Sequence, residues 1–138
     1  MSAETPELGV SAVPQILVIE DNPDGRETLR TLLVSEGFHV DVAANGLEGL
    51  DKALASHPDI AVVDIGLPLL DGYQVAQRLR SLFGRKIFLI ACTGYGRPED
   101  RRRSREAGFD VHLVKPVDLD ELTHVFSKAG DSNLRATK

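Results

Sequence analysis

The chain has 138 residues, of which 42% are hydrophobic and 27% are charged, and its formal net charge at pH 7 is −5. This length and composition predict one globular domain with a sizeable core and a charged surface. The negative charge argues against nonspecific binding to nucleic acids. A single cysteine, Cys92, excludes an internal disulfide, and the chain shows neither a membrane-spanning apolar run nor a signal-peptide pattern. We therefore expect a cytoplasmic protein that binds neither nucleic acid nor membrane.

The first half of the chain begins with residues 1–14, which mix small, acidic and proline residues and predict a flexible N-terminal tail. QILVIED, from Gln15 onwards, predicts the first strand. The helix after it is expected to begin at an Asn22 cap and to end near Gly37. HVDVAA then predicts a second strand, and LEGLDKALASH predicts a second helix. The inner face of that helix is expected to carry Leu47, Leu50 and Leu54.

The second half repeats this alternation of strands and helices. DIAVVD predicts a third strand, YQVAQRLRSLF a helix, and KIFLIACT a fourth strand. A polar helix is expected over residues 97–107, and VHLVK predicts a fifth strand. The last helix is predicted to begin at Asp118, and residues 130–138 are predicted to form a flexible C-terminal tail. Five strands that alternate with five helices predict a parallel sheet with right-handed crossovers.

Two missing phosphate-binding motifs narrow the choice among folds with a parallel sheet. No G-x-G-x-x-G follows the first predicted strand, and no P-loop motif is present. We therefore predict an α/β flavodoxin-like fold, a doubly wound five-stranded parallel sheet of order 2-1-3-4-5 with five helices. In such sheets ligands bind at the carboxyl ends of the strands, near the switch point between strands one and three.

Polar side chains stand at the carboxyl ends of four predicted strands. Glu20 and Asp21 end the first strand, Asp64 the third, Thr93 the fourth and Lys115 the fifth. The predicted strand order brings these residues to one edge of the sheet. A carboxylate just past a buried strand costs free energy unless its charge is compensated. Their convergence therefore favours a chemical site over ordinary loop polarity.

From Gln15 to Ala129 the chain closely resembles the receiver domain of two-component response regulators, the CheY-like receivers. The motifs that carry this resemblance are VIEDNPDGRETL, VVDIGLPLLDG, ACTGYG and LVKPVD. The segment from Cys92 to Asp118 is most similar to receivers of hybrid sensor histidine kinases. The resemblance implies a receiver domain over 15–129. Receivers commonly hold the bond between Lys115 and Pro116 in the cis form, so we expect a cis bond here.

The resemblance also implies a role for each polar residue at the strand ends. Asp64 would accept a phosphoryl group from a phosphohistidine on a sensor histidine kinase or a histidine phosphotransfer protein. Thr93 would be the switch hydroxyl and Lys115 the phosphate-binding lysine. The backbone amide of Gly94 would donate a hydrogen bond to the phosphoryl group. His112 stands where receivers often carry an aromatic side chain that moves on activation.

The resemblance further implies that the acidic residues at the strand ends hold a metal ion. Asp21 and Asp64 would be direct ligands together with the backbone carbonyl of Gly66, and Glu20 would act mainly through bound water. The expected metal is Mg²⁺, for which Mn²⁺ could substitute. Three carboxylates in one pocket repel one another, and a hard divalent cation relieves that repulsion.

We expect the signal to leave through the face formed by helix four, strand five and helix five. The protein is expected to be a monomer or a weak phosphorylation-dependent dimer with an unidentified downstream protein target. Because the sequence leaves no room for an output domain after Ala129, we expect a single-domain response regulator. Such a protein is a signalling phosphoacceptor that assists its own phosphorylation and dephosphorylation, and it is not an enzyme.

Other interpretations of the sequence stay open. One is a receiver fragment of a hybrid histidine kinase that relays phosphate. Another is an aspartyl-phosphate phosphatase, although Gly66 replaces the second acid that such an enzyme carries two residues after its nucleophile. A phosphorylation-independent binding module would not need the complete acidic, threonine and lysine set. A flavin carrier would need more aromatic residues than the 5% that the chain has.

Overall fold

Five parallel strands form one sheet in the computed structural model, which describes the backbone of residues 13–136 and the side chains of residues 13–130. The strands are β1 (Gln15–Ile19), β2 (His39–Ala43), β3 (Ile60–Asp64), β4 (Phe88–Thr93) and β5 (Val111–Val114). Their spatial order is β2-β1-β3-β4-β5, and every neighbouring pair is parallel. The predicted doubly wound flavodoxin-like fold is confirmed.

Five α-helices and one short 3₁₀ turn connect the strands. The helices are α1 (Pro23–Ser35), α2 (Gly46–Ser56), α3 (Gly72–Phe83), α4 (Pro98–Ala107) and α5 (Leu119–Ala136), and the turn is Gly84–Lys86. The Asn22 side chain caps α1 by accepting the amide of Gly25 at 2.9 Å, as the sequence predicts. No helix within residues 13–136 is both long enough and apolar enough to cross a bilayer.

The core lies in two layers because successive strand side chains point to opposite faces of the sheet. On one face the strands pack against α2 and α3, and Ile19, Val63 and Leu79 belong to that layer. On the other face they pack against α1 and α5, and Val62 and Leu122 belong to that layer. The three central strands are therefore covered on both faces, as is usual for a parallel sheet.

The inner face of α2 differs from the predicted leucine stripe. Leu50 is buried, but Leu47 and Leu54 are about half exposed, at 51% and 50%. The buried positions of α2 include two glycines, and a side chain at Gly49 would collide with Ile19. The glycine face lets α2 approach the sheet closely, so the two outer leucines turn towards solvent.

The structure describes part of each region that the sequence predicts to be a flexible tail. Helix α5 continues to Ala136, past the predicted start of the C-terminal tail at Gly130. Extending an existing helix adds one hydrogen bond for each residue that is ordered, so a polar sequence without proline can continue it. The predicted N-terminal tail lies outside the described residues except for Val13 and Pro14, which belong to no helix or strand.

The loop between β3 and α3 contains a leucine in an unfavourable backbone conformation. Leu69 has a φ of 67°, in the left-handed region, and its side chain is 85% exposed. Its neighbours Leu67 and Leu70 are buried and anchor the loop. A residue with a Cβ pays about 1 kcal/mol for this conformation. No burial of the Leu69 side chain offsets that cost.

We expect Leu69→Asn to raise the free energy of unfolding by about 1 kcal/mol, because asparagine tolerates the left-handed region. Urea denaturation would measure the change. Leu69→Ala is the matched control, since it removes the same exposed side chain but keeps the unfavourable Cβ. Equal stability of the Asn and Ala variants would contradict the strain at this position.

Candidate functional site

Three carboxylates meet at the carboxyl edge of the sheet. Ile19 pairs with Val63 across β1 and β3, so the following residues, Glu20 and Asp64, leave the sheet side by side. One oxygen from each of Glu20, Asp21 and Asp64 lies within 4.8 Å of the others. Asp64 is buried, and Asp21 is exposed at the mouth of the site. The acidic residues that the sequence singled out therefore form one cluster.

Lys115 compensates the charge of this cluster. Its ammonium group donates to Glu20 Oε1 at 3.0 Å and lies 3.2 Å from Asp64 Oδ1. Lys115 follows β5, and its backbone amide donates to the carbonyl of Thr93 at 2.7 Å, which fixes the start of the side chain. The bond between Lys115 and Pro116 is cis, so this prediction is confirmed. One cation thus joins the ends of β1, β3 and β5.

The ionisation of Glu20 and Lys115 reflects this shared environment. Burial raises the pKa of Glu20, while hydrogen bonds from the Asn22 amide and from Lys115 act in the opposite direction. For Lys115 burial acts to lower the pKa, but the hydrogen bond to Glu20 and the charge of Asp64 outweigh it and raise the pKa above its ordinary value. Lys115 therefore stays protonated at neutral pH and supplies a permanent positive charge.

Thr93 and Gly94 form the wall of the site at the end of β4. Thr93 is 6% exposed, and its hydroxyl oxygen accepts the backbone amide of Tyr95 at 3.2 Å. Gly94 is exposed, and a Cβ placed on it would meet no atom within 4 Å. No neighbouring side chain or backbone therefore fills the space beside the Cα of Gly94.

Two glycines shape the backbone around Asp64. The amide of Gly66 donates to Asp64 Oδ1 at 3.1 Å, and Gly66 itself is exposed. A Cβ on Gly72 would lie 2.6 Å from the carbonyl oxygen of Asp64, so only glycine lets α3 begin this close to the backbone of Asp64. The sequence analysis did not assign this role to Gly72. The Asp71-Gly72 pair before a helical pattern is the signal that could have indicated it.

His112 lies away from the carboxylates and connects two other elements. Its Nδ1 is 2.8 Å from the hydroxyl of Ser104 on α4, and its Nε2 is 3.1 Å from the carbonyl oxygen of Tyr95. Sequence reasoning did not identify Ser104 or the Tyr95 carbonyl. The sequence shows Ser104 only as a small polar residue three positions before Ala107 in a polar helix. Spacing alone cannot pair such a serine with a histidine on another element.

A cavity of about 660 Å³ opens beside the carboxylates, between α1 and the residues that follow β5. Leu29, Leu32 and Val117 contribute to its apolar wall, and Asp64 and Lys115 reach its polar end. Cys92 also lines this cavity, and burial raises the pKa of its thiol to about 12. The thiol is therefore protonated at neutral pH, and Cys92 acts as a buried packing residue.

The model of the response regulator receiver domain family matches residues 16–127. The chain belongs to this family. The receiver covers most of the chain, in agreement with the resemblance that its motifs predict. The fold described above is therefore that of a receiver.

Named relatives extend this assignment. The receiver is 37% identical over 105 residues to the sensor histidine kinase RcsC of Escherichia coli (strain K12), covering 76% of this chain and 11% of the kinase. It is 37% identical over 108 residues to the response regulator MprA of Mycobacterium avium (strain 104), covering 78% of this chain and 47% of MprA. The chain thus spans less than half the length of either relative.

A solved structure of similar fold is that of the response regulator protein TrrA of Thermotoga maritima in complex with Mg²⁺-BeF. It has a TM-score of 0.76 and 32% sequence identity, and the match covers 85% of this chain and 99% of TrrA. The receiver fold described above therefore agrees with that of an experimentally determined response regulator.

We expect Lys115→Met to lower the free energy of unfolding by about 1–2 kcal/mol in the absence of divalent cations, because two poorly exposed carboxylates lose their cation. Millimolar Mg²⁺ should restore part of the loss. Lys52→Met is the matched control, since Lys52 also lies 3.4 Å from two carboxylates, Asp41 and Glu48, but on an exposed surface. Chemical denaturation of both variants, with and without Mg²⁺, would test this, and equal losses would contradict it.

Proposed function

We propose that this receiver acts as a single-domain response regulator whose Asp64 accepts a phosphoryl group from a phosphohistidine. The donor would be a sensor histidine kinase or a histidine phosphotransfer protein. The observation that carries the proposal is the position of Asp64, buried at the sheet edge, 3.2 Å from the ammonium group of Lys115 and within 4.8 Å of two further carboxylates. An aspartate with a purely structural role would not need a lysine and two further carboxylates beside it.

The donor set fits a hard divalent cation. Carboxylate oxygens from three residues lie close together beside the exposed backbone of Gly66, and Mg²⁺ prefers such oxygen ligands together with water. Asp21, Asp64 and the Gly66 carbonyl would hold Mg²⁺ or Mn²⁺, and Glu20 would act through bound water. When bound, the metal would offset the carboxylate charges and draw charge from the phosphoryl oxygens. The Mg²⁺-BeF complex of TrrA supports this proposal.

We infer the following chemistry for this chain's own residues, and their positions support it. A carboxylate oxygen of Asp64 attacks phosphorus and forms an O–P bond, while the N–P bond of the phosphohistidine breaks and its electron pair returns to the imidazole. Lys115 then pairs with a phosphoryl oxygen. The Thr93 hydroxyl and the Gly94 amide donate hydrogen bonds to the phosphoryl group. The protein is thus a phosphoacceptor that assists its own phosphorylation and dephosphorylation.

Partner binding would use two separate surfaces. The apolar cavity between α1 and the residues after β5 opens directly beside Asp64, so it suits the protein that delivers the phosphoryl group. Output would use the face of α4, β5 and α5, with His112 as the switching side chain. The occupant of that face would be a downstream protein or a second copy in a weak phosphorylation-dependent dimer. A cytoplasmic location stays a prediction.

A second candidate function is that of a phosphate-relaying receiver from a hybrid kinase. The 37% identity to RcsC favours it, because the matched region is a small part, 11%, of a sensor histidine kinase. The acceptor chemistry at Asp64 is the same in both cases. An aspartyl-phosphate phosphatase is less well supported, since Gly66 leaves no second acid two residues after Asp64.

We expect incubation with acetyl phosphate and Mg²⁺ to add one phosphoryl group, which intact mass spectrometry would detect. Asp64→Asn should abolish the addition, because an amide cannot act as the nucleophile. Asp71→Asn changes another loop aspartate nearby and should leave the addition unchanged, since asparagine can still cap α3. An Asp64→Asn protein phosphorylated at the wild-type rate would exclude Asp64 as the acceptor.

We also expect millimolar Mg²⁺ to raise the melting temperature, because a cation that binds the folded cluster stabilises the folded state. The increase should disappear in Asp21→Asn, which removes a ligand. Asp51→Asn makes the same charge change at an exposed position on α2 and should keep the increase. Thermal melts of the three proteins would measure this, and the same increase in all of them would place the metal elsewhere.

A further inference from the structure

Helix α4 is attached to the sheet by few side chains. Of its ten residues only Ser104 and Ala107 are buried. Helix α3, by comparison, buries an apolar stripe that includes Val75, Ala76 and Leu79. Burial of apolar surface therefore contributes little to the position of α4. A polar contact carries a correspondingly larger share.

One such contact joins α4 to α3, where the Arg103 guanidinium carbon lies 4.2 Å from the ring centroid of Tyr73. The contact that joins α4 to the sheet is the hydrogen bond between Ser104 and His112. Ser104 is fully buried, at 0% exposure, and its hydroxyl lies 2.8 Å from Nδ1 of His112. A buried hydroxyl that loses its partner costs about 1–3 kcal/mol. The bond thus ties α4 to β5 at the one place where the helix faces the sheet with a polar group.

The other ring nitrogen of His112 determines the direction of both bonds. A carbonyl oxygen can only accept, so the contact at 3.1 Å with the Tyr95 carbonyl requires a proton on Nε2. In the neutral ring Nδ1 then accepts, and the Ser104 hydroxyl donates to it. One histidine therefore binds α4 through Nδ1 and the loop after β4 through Nε2.

The same loop residue is also bonded to Thr93. The Tyr95 amide donates to the Thr93 hydroxyl at 3.2 Å, while the Tyr95 carbonyl accepts from His112. A continuous path of hydrogen bonds thus runs from Thr93 through the backbone of Tyr95 and the ring of His112 to Ser104. Thr93 stands at the phosphoacceptor end of this path, and α4 stands at the other.

We propose that Ser104 is a positioning residue that couples α4 to the phosphoryl group on Asp64; this inference rests on the function proposed above. When the Thr93 hydroxyl turns to donate to the phosphoryl group, the Tyr95 amide loses its acceptor and the loop moves. The Tyr95 carbonyl then displaces the His112 ring. The bond from Ser104 to that ring carries the displacement into α4, which has little apolar packing to resist it.

The test uses beryllofluoride with Mg²⁺ as a stable mimic of the phosphoryl group, followed by amide NMR shifts. In the wild type we expect shift changes at Gly94 and Lys115 and also across α4. Ser104→Ala should keep the changes in the pocket and lose those across α4. Arg102→Ala is the matched control, because it removes an exposed side chain of α4 outside the path and should keep both sets of changes.

A second variant covers the case in which Ser104→Ala does not fold. His112→Phe keeps an aromatic ring but removes both nitrogens, and it should lose the changes across α4 in the same way. When Ser104→Ala and His112→Phe are combined, the double variant should lose no more of the shift changes across α4 than either single variant, since both substitutions act on one path.

Three outcomes would overturn the proposal. Full shift changes across α4 in Ser104→Ala or His112→Phe would exclude the coupling through this bond. Changes confined to the pocket in the wild type would exclude a coupled α4 while leaving the acceptor function intact. A wild-type protein that does not bind beryllofluoride would contradict the proposed function itself, and the coupling with it.

Discussion

The contact of Lys115 with Glu20 and Asp64 is the constraint on which the rest of the site depends. Two carboxylates about 4 Å apart repel by about 4 kcal/mol at an effective dielectric constant near 20. A lysine ammonium 3.0 Å from one and 3.2 Å from the other offsets that repulsion in the folded chain. The sheet edge can therefore hold a buried aspartate whose oxygens stay available for chemistry.

The parallel sheet brings these charged residues together. Parallel strands end at the same edge, so residues that are far apart in sequence reach one place without long loops. Glycine at the start of α3 lets that helix approach the backbone of Asp64, and helices on both faces keep water away from the strands. Local backbone choices at Gly72 and Gly66 thus decide what surrounds the carboxylate.

The packing of α4 differs from that of the neighbouring helices, and the proposed coupling to Asp64 depends on this difference. Helices α3 and α5 are held by apolar side chains, whose close packing resists displacement. Helix α4 buries only Ser104 and Ala107, and Ser104 joins it to His112 through a hydrogen bond, which has two discrete states, made and broken. The path from Thr93 ends at a helix that buries little apolar surface.

The sequence by itself determined the five strands, the five helices and the polar strand ends, because apolar periodicity and turn residues act over short distances. The sheet order followed from the alternation of strands with helices and from the missing dinucleotide and P-loop motifs. The cis bond before Pro116 also followed from the motif that contains it. Only the tertiary structure decided which side chains meet. Lys115 contacts Glu20 across 95 positions, and Ser104 finds His112 on another element. The outward turn of Leu47 and Leu54 likewise depends on how closely a glycine face approaches the sheet, and periodicity along one helix contains no information about its neighbour.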